Sequence, residues 1–283
     1  RDQYRFVRST QWVTAEEYDA FEQQYLEITQ RRSQKWRTLL EENNGDWPPR
    51  SSKFKRYVRK GIPPEFRSQA WFHYSGGQKK MQAHVGVYQE CVDKAMAMGL
   101  DSEYLDIIER DLHRTFPDND LFKSKNSNAS AAAATTVPPR PQEDDMPAIQ
   151  KLRRLLYAFS VYSPSIGYCQ SLNYIAGLLL LFMEEEEAFW TFVVLIHDIL
   201  PPNVYDTTME GANIDQNVLM MLLSERCPRI WQRLADGRSF WECEDPNGLG
   251  LPTSSLVTSH WFLTLFINIL PTESVLRVWD CLF

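Results

Sequence analysis

Two short polar motifs contain the residues of this chain that are best suited to chemistry. The first places Asp111 three residues before Arg114, and the second places Tyr168 two residues before Gln170. An arginine can stabilise the charge that develops on phosphoryl oxygens, and a glutamine carboxamide can orient an attacking water because it both donates and accepts hydrogen bonds. The pair therefore suits phosphoryl transfer to water, by residues that need no shifted pKa.

The sequence lacks the motifs of an enzyme that binds its own nucleotide or metal. Neither a Walker-type phosphate loop nor a dinucleotide-binding glycine motif occurs, and the metalloprotease and serine-hydrolase signatures are also missing. The five cysteines are odd in number and show no C-x-x-C spacing, which is typical of reduced thiols in a cytosolic protein. We therefore expect no metal site and no cofactor of the chain's own.

The composition is that of an acidic chain large enough for a sizeable core. It has 283 residues, 43% hydrophobic content and nine tryptophans. The net charge of -7 argues against nucleic-acid binding. Its apolar runs are shorter than the roughly 20 residues that span a bilayer, and no secretory signal opens it. Because the chain starts without methionine, we expect it to be a piece of a longer cytoplasmic protein.

Helical patterns extend along the whole chain. Thr14 and Glu17 form a capping-box pattern ahead of a helix predicted from Ala15 to about Glu42. Further helices are predicted over 65–74, 148–162 and 172–183. No alternating run flanked by hairpin turns requires a sheet, so the predicted fold class is all-α.

Two segments interrupt these patterns. Residues Arg50–Lys60 include six Lys or Arg, which favours a solvated connector and leaves docking onto an acidic membrane or an acidic partner as the alternative. Residues Lys123–Asp145 are rich in Ser, Asn, Ala, Thr and Pro, a composition that predicts a disordered or extended surface insert.

The helix with the first motif is predicted to begin at residue 101 or 102 and to end near Thr115. Its apolar stripe consists of Leu105, Ile108 and Leu112. Arg114 points about 130° away from that stripe, toward solvent. Asp111 could hold the guanidinium in one orientation, and a plain intrahelical ion pair is the alternative.

Gln170 lies at or just before the start of the predicted helix 172–183, where the helix dipole favours an anion. The alternative is a glutamine that caps the helix or braces the loop. Arg67 and Trp71 lie one turn apart on another helix, which permits the guanidinium to stack on the indole. Structural stacking is favoured there over direct substrate contact.

In their order and spacing these motifs resemble the TBC domain, the catalytic module of GTPase-activating proteins for Rab GTPases, and most closely its fungal members that act on secretory Rabs. The resemblance runs from Gly61 to Phe283. It depends on Arg67, Trp71, Ile108, Asp111, Arg114, Tyr168, Gln170, Asn173, Arg277, Trp279 and Asp280. It implies a multi-helix domain over 61–283, preceded by an N-terminal helical extension and basic linker over 1–60.

The resemblance also implies a role for each motif residue. Arg114 would be an arginine finger and Gln170 a second finger, both supplied in trans to a Rab that binds GTP and Mg²⁺ itself. The supporting residues would be Asp111, Asn173 and Tyr168, and the framework would consist of Arg67, Trp71, Ile108, Trp279 and Asp280. The expected location is cytoplasmic, at endomembranes or sites of secretion. A Rab-binding effector without catalysis and a helical adaptor remain alternatives.

Three features depart from the family pattern. Position 171 is Ser, whereas most relatives have Gly there. The insert Lys123–Asp145 separates the two motifs by more than is usual, which a surface loop tolerates at little entropic cost. The family domain continues past Trp279 and Asp280, so we expect further helices beyond Phe283.

Overall fold

The computed structural model describes residues 1–8, 13–98, 103–123, 145–244 and 254–283. In these ranges the chain is helical, and its single β-type pairing is an isolated antiparallel bridge between Phe6 and Asn119. The all-α fold class is therefore confirmed. None of the described helices is both long and apolar enough to cross a bilayer.

The helices in chain order are α1 (Ala15–Glu41), α2 (Ser52–Lys60), α3 (Pro64–Ser75), α4 (Gly77–Ala83), α5 (Val87–Met98), α6 (Glu103–Leu112), α7 (Pro147–Tyr162), α8 (Leu172–Leu180), α9 (Glu185–Val194), α10 (Glu210–Arg226), α11 (Pro228–Leu234), α12 (Phe240–Glu244), α13 (Ser254–Leu263) and α14 (Thr272–Leu282). A π-helical turn, Leu195–Ile199, extends α9.

The core is built around α7, α8 and α9. Helix α7 packs against α5, α6, α8 and α9, and α9 also contacts α3 and α4. Helix α8 has buried side chains on nearly every face, as expected of a helix whose sequence is apolar all round. It ends at Leu180, three residues before the predicted end at Met183. The predicted site residues Arg114 and Gln170 therefore lie in segments next to these central helices.

The basic segment Arg50–Lys60 is not the solvated connector that its composition favours. Residues 52–60 form α2, whose first turn is capped because the Ser51 hydroxyl accepts a hydrogen bond from the Phe54 N–H. Phe54 is buried and makes an edge contact with Trp36 of α1, which is fully buried. The contact between Phe54 and Trp36 therefore packs α2 against α1, although the segment is rich in Lys and Arg.

A buried carboxylate joins α3 to α14. Asp280 Oδ1 accepts a hydrogen bond from Arg67 Nε at 2.9 Å and from Trp71 Nε1 at 3.0 Å, and Oδ2 accepts one from the Ile62 N–H at 2.9 Å. Arg67 and Trp71 therefore meet at a shared carboxylate, rather than by the stacking of guanidinium on indole that the sequence predicts. Both side chains are fully buried, which agrees with a framework position.

The first eight residues pack on the same framework. The Tyr4 hydroxyl accepts a hydrogen bond from Arg67 Nη1 at 2.7 Å and donates one to Glu273 at 2.7 Å. Phe6 places its ring at 5.2 Å, edge to face, from Phe116, two residues after Arg114. The start of the chain thus supports the turn that carries Arg114.

The predicted insert lies almost wholly outside the described residues. Its last residue, Asp145, is buried and accepts a hydrogen bond from Arg153 Nη2 of α7 at 2.6 Å. The same guanidinium binds Glu109 of α6 through Nε at 2.6 Å. The end of the insert is thus tied to the ion pair that joins α6 and α7.

Deletion of Ser124–Glu143, closed with a short flexible linker, should change stability little. The deleted composition cannot support a packed core, and Asp145 keeps its contact with Arg153. Urea unfolding measures stability, and we expect any acceleration of GTP hydrolysis that the resemblance implies to stay within a few fold of the parent. A matched deletion that also removes Asp145 should be clearly less stable. Loss of cooperative folding in the shorter deletion would show that the segment belongs to the packed structure.

Candidate catalytic site

Arg114 lies in the turn that follows α6, not within the helix. The helix ends at Leu112 rather than near Thr115, and its predicted start lies outside the described residues. The predicted stripe of Leu105, Ile108 and Leu112 is buried, as expected. The Arg114 side chain is 49% exposed and forms an ion pair with Asp111, which is 2% exposed. A solvent-facing guanidinium is thus held by a buried carboxylate.

Asp111 also binds the second motif. Its Oδ2 accepts a hydrogen bond from the Tyr168 hydroxyl at 2.6 Å, whereas Oδ1 pairs with Nη2 of Arg114. Burial, followed by the hydrogen bond to Asp111, raises the pKa of Tyr168 above its ordinary value, so the phenol remains a donor at neutral pH. One carboxylate therefore links Arg114 to the residue two positions before Gln170.

A second chain of hydrogen bonds reaches the other side of Gln170. The Thr115 hydroxyl donates to the Asp111 carbonyl at 2.9 Å and accepts from Asn173 Nδ2 at 2.8 Å. Asn173 Oδ1 in turn accepts from the Ser171 N–H at 3.2 Å. Both side chains that take part, those of Thr115 and Asn173, are fully buried. The loop is therefore fixed both before and after Gln170.

Gln170 itself is exposed, and its carboxamide makes no hydrogen bond with any other described residue. The bracing of the loop is done by Tyr168 and Asn173 instead. The structure thus favours a free carboxamide over the capping or bracing alternative. Arg114 and Gln170 are two exposed polar groups on segments that share one buried network.

The start of α8 offers fewer free donors than the sequence suggests. The Leu172 N–H donates to the Cys169 carbonyl at 3.2 Å, and the Tyr174 N–H donates to the Ser171 carbonyl at 3.1 Å. Donors that are already paired contribute less to anion binding. The side chain of Gln170, rather than the helix terminus, is therefore the main group that this loop offers to a ligand.

Two glycines allow close packing around the loop. Gly167 has φ +60°, and a Cβ there would come within 2.3 Å of the Tyr104 ring of α6. In α8, a Cβ at Gly177 would lie 3.0 Å from Thr115 Cγ2 and 3.0 Å from the Phe116 ring. The loop and α8 thus rest directly on the segment that carries Arg114.

Ser171 has φ +101° and ψ -29°, a left-handed conformation that favours glycine. This gives a physical reason for the glycine that the family resemblance leads us to expect at this position. The strained residue directly follows Gln170 and turns the chain into α8.

Ser171→Gly should leave the site intact and stabilise the protein by up to about 1 kcal/mol. The relief of backbone strain exceeds the extra entropy that glycine gives the unfolded chain. Urea unfolding measures the effect, with Ser165→Gly as control because Ser165 is an exposed loop serine without a positive φ. The control should be slightly destabilised. A Ser171→Gly variant less stable than the parent would contradict the strain argument.

Sequence reasoning missed the residues that position α6. Glu109 accepts hydrogen bonds from Arg153 and, at 2.6 Å, from the Tyr157 hydroxyl, and all three residues are buried. Glu109 and Arg153 are 44 residues apart, so no short sequence pattern indicates that they form an ion pair. Thr115 could have been found, because a threonine four residues after Asp111 commonly donates to that carbonyl.

Comparison with known proteins gives consistent matches. The Rab-GTPase-TBC domain family matches residues 131–283. Two proteins of Saccharomyces cerevisiae align with the whole chain: "GTPase-activating protein MSB4" is 38% identical and "GTPase-activating protein GYP3" is 37% identical. The chain covers 58% and 47% of their lengths, so it spans about half of each. The crystal structure of the Chlamydomonas flagellar RabGAP TBC domain matches the whole chain with a TM-score of 0.71 and 28% identity, over 80% of that structure.

Proposed function

The chain belongs to the Rab-GTPase-TBC domain family, and we propose that it accelerates GTP hydrolysis by a small GTPase of the Rab type. Two yeast relatives are named as GTPase-activating proteins, which supports this assignment. The observation that carries the proposal is the exposed guanidinium of Arg114, held by a buried Asp111 that also binds the loop of Gln170. The nucleotide and Mg²⁺ belong to the GTPase partner, and the chain needs no cofactor of its own.

Arg114 acts on the charge that develops during hydrolysis. The transition state spreads negative charge over the phosphoryl oxygens, and a guanidinium placed there stabilises it more than it stabilises bound GTP. The ion pair with Asp111 involves Nη2 of Arg114, and a guanidinium carries five N–H donors, so donors remain for the phosphate. The ion pair thus orients the guanidinium before the partner binds, so less conformational entropy is lost in the complex.

Gln170 positions the attacking water. Its carboxamide oxygen accepts a hydrogen bond from the water while its NH₂ group donates to the phosphate or to the partner. The backbone on either side is fixed through Tyr168 and Asn173, so the exposed side chain projects from a rigid loop. Both fingers come from this chain, in place of the glutamine of the GTPase.

The direct test is phosphate release from a panel of GTP-loaded Rab proteins, with and without the chain. Acceleration of at least one Rab supports the proposal. A panel in which Rabs bind but are never accelerated favours the alternative, a Rab-binding effector or scaffold. A panel in which no Rab binds favours the helical adaptor. The two exposed fingers favour catalysis over both.

The cellular setting follows from the proposed partner. We place the protein in the cytoplasm, peripherally associated with endomembranes or sites of secretion where Rab proteins act. The segment 50–60, with six Lys or Arg, is the proposed contact with acidic membrane. Its exposed cations on α2 are compatible with such a contact.

A further inference from the structure

A groove with strong positive charge lies between α1 and α2. Two cavities of about 450 Å³ and about 90 Å³ form it, and both have Arg32, Lys35 and Lys60 in their walls. The remaining cations of the walls are Arg31, Arg56, Arg59 and Arg277. These seven residues define the basic groove.

The charge of the basic groove is almost uncompensated. No described Asp or Glu lies in its walls, although the chain as a whole has a net charge of -7. Within the described residues, the one ion pair of a groove cation is the contact between Arg31 and Glu27 at 3.8 Å, and both side chains are largely exposed. An exposed pair at that distance contributes little. Seven cations on a concave surface create a positive potential that attracts an anion.

Two buried donors in the walls have no acceptor among the described residues. Trp36 Nε1 is one of them, and Trp36 lines the smaller cavity beside four cations. The other is Arg277 Nε, which lies where a Cβ at Gly61 would come within 2.6 Å. Arg277 is further held by the bond from its Nη2 to the Arg59 carbonyl at 2.7 Å. Both nitrogens are closed to solvent in this conformation, so the cations of the walls are the groups that an anion with several oxygens would meet in this groove.

Helix α1 adds an apolar part to the same surface. Phe21, Tyr25, Ile28, Arg32 and Lys35 follow one another at spacings of four and three residues, so they form one stripe of the helix. Phe21 is 60% exposed and Ile28 is 45% exposed. Apolar side chains continuous with cations are typical of helices that lie in a membrane interface. A soluble polyanion would need only the cations, so the stripe favours a lipid surface.

We propose that the basic groove binds phosphate-bearing head groups of an anionic membrane, with Phe21 and Ile28 entering the interfacial region. The inference rests on the proposed membrane contact of segment 50–60, and it assigns that contact to a site that also includes α1 and Arg277. It is independent of GTPase activation. Three cations of segment 50–60, Arg50, Lys53 and Lys55, lie outside the groove.

Vesicle binding tests the groove. The intact chain is mixed with vesicles of phosphatidylcholine alone, or with phosphatidylserine or a phosphoinositide bisphosphate added to equal total charge. We expect binding to the anionic vesicles only, weakened by salt. Lys35→Gln/Lys60→Gln should reduce affinity about 30-fold, since each cation near the surface contributes about 1 kcal/mol. The matched control Lys79→Gln/Lys94→Gln changes two exposed lysines of α4 and α5 that lie outside the groove and outside segment 50–60, and it should stay within about threefold of the parent.

Each other outcome identifies a different failure. Equal losses in the two double variants would overturn the groove and leave only a general effect of surface charge. If the parent chain binds neutral and anionic vesicles equally well, both the groove proposal and the proposed membrane contact of segment 50–60 are wrong. If Lys35→Gln/Lys60→Gln binds vesicles normally but loses acceleration of a soluble Rab, the groove binds the GTPase instead. Acceleration of a soluble Rab, measured in parallel, reports on the proposed function separately.

Discussion

Arg114→Ala should reduce the acceleration of GTP hydrolysis by a factor on the order of 10³ or more, while the protein stays folded. Arg114 is half exposed and lies outside the core, so its truncation removes little packing. Its loss leaves the transition-state charge unstabilised, and much of the ground-state binding to the Rab should persist. Single-turnover phosphate release measures the rate, and binding of the GTP-loaded Rab is measured separately.

Two further variants sharpen this test. Arg114→Lys should also be poor, because an ammonium lacks the planar fork of a guanidinium. Arg110→Ala is the matched control, since Arg110 is an exposed arginine of α6 whose Nε donates to the Asp106 carbonyl of the same helix. It should keep nearly full activity. The finger role would be wrong if purified Arg114→Ala retained more than about a third of the parent rate.

Gln170→Ala should reduce the rate by a factor on the order of 10² or more, if the carboxamide orients the water. The loop should keep its shape, because Tyr168 and Asn173 hold it and the Gln170 side chain has no partner among the described residues. Phosphate release by a GTP-loaded Rab again measures the effect. Gln69→Ala, at an exposed position of α3, is the matched control and should have no effect.

The GTPase itself separates a two-finger mechanism from a one-finger mechanism. A Rab whose own catalytic glutamine is replaced should still respond to the parent chain, because Gln170 supplies the carboxamide. The Arg114 and Gln170 variants should be strongly non-additive, because both act in one transition state. If Gln170→Ala keeps its activity and the Rab variant is no longer accelerated, the glutamine of the GTPase positions the water.

The local elements of this protein were predictable from short stretches of sequence. The capping box at Thr14 and Glu17 is present, and α1 extends from Ala15 to Glu41 against a predicted end near Glu42. The stripe of α6 is buried as its spacing predicts. Such features depend on residues within one or two turns, so periodicity and capping rules suffice for them. The residue types of Arg114 and Gln170 suit phosphoryl transfer, but only the family resemblance assigned them as two fingers, and that assignment stays a prediction.

The sequence by itself thus determined the fold class, the positions of helices such as α1 and α7, and the two candidate fingers. Only the tertiary structure decided how those fingers are held. Whether Gln170 braces its loop depends on Asn173 reaching Thr115, 58 residues earlier in the chain. That Arg67 and Trp71 share Asp280, more than 200 residues away, follows from the packing of α14 on the start of the domain. The contact between Trp36 and Phe54 packs α2 against α1, and the basic groove lies between these two helices. Buried polar groups must find partners wherever the fold brings them together, and short-range sequence patterns do not specify those partners.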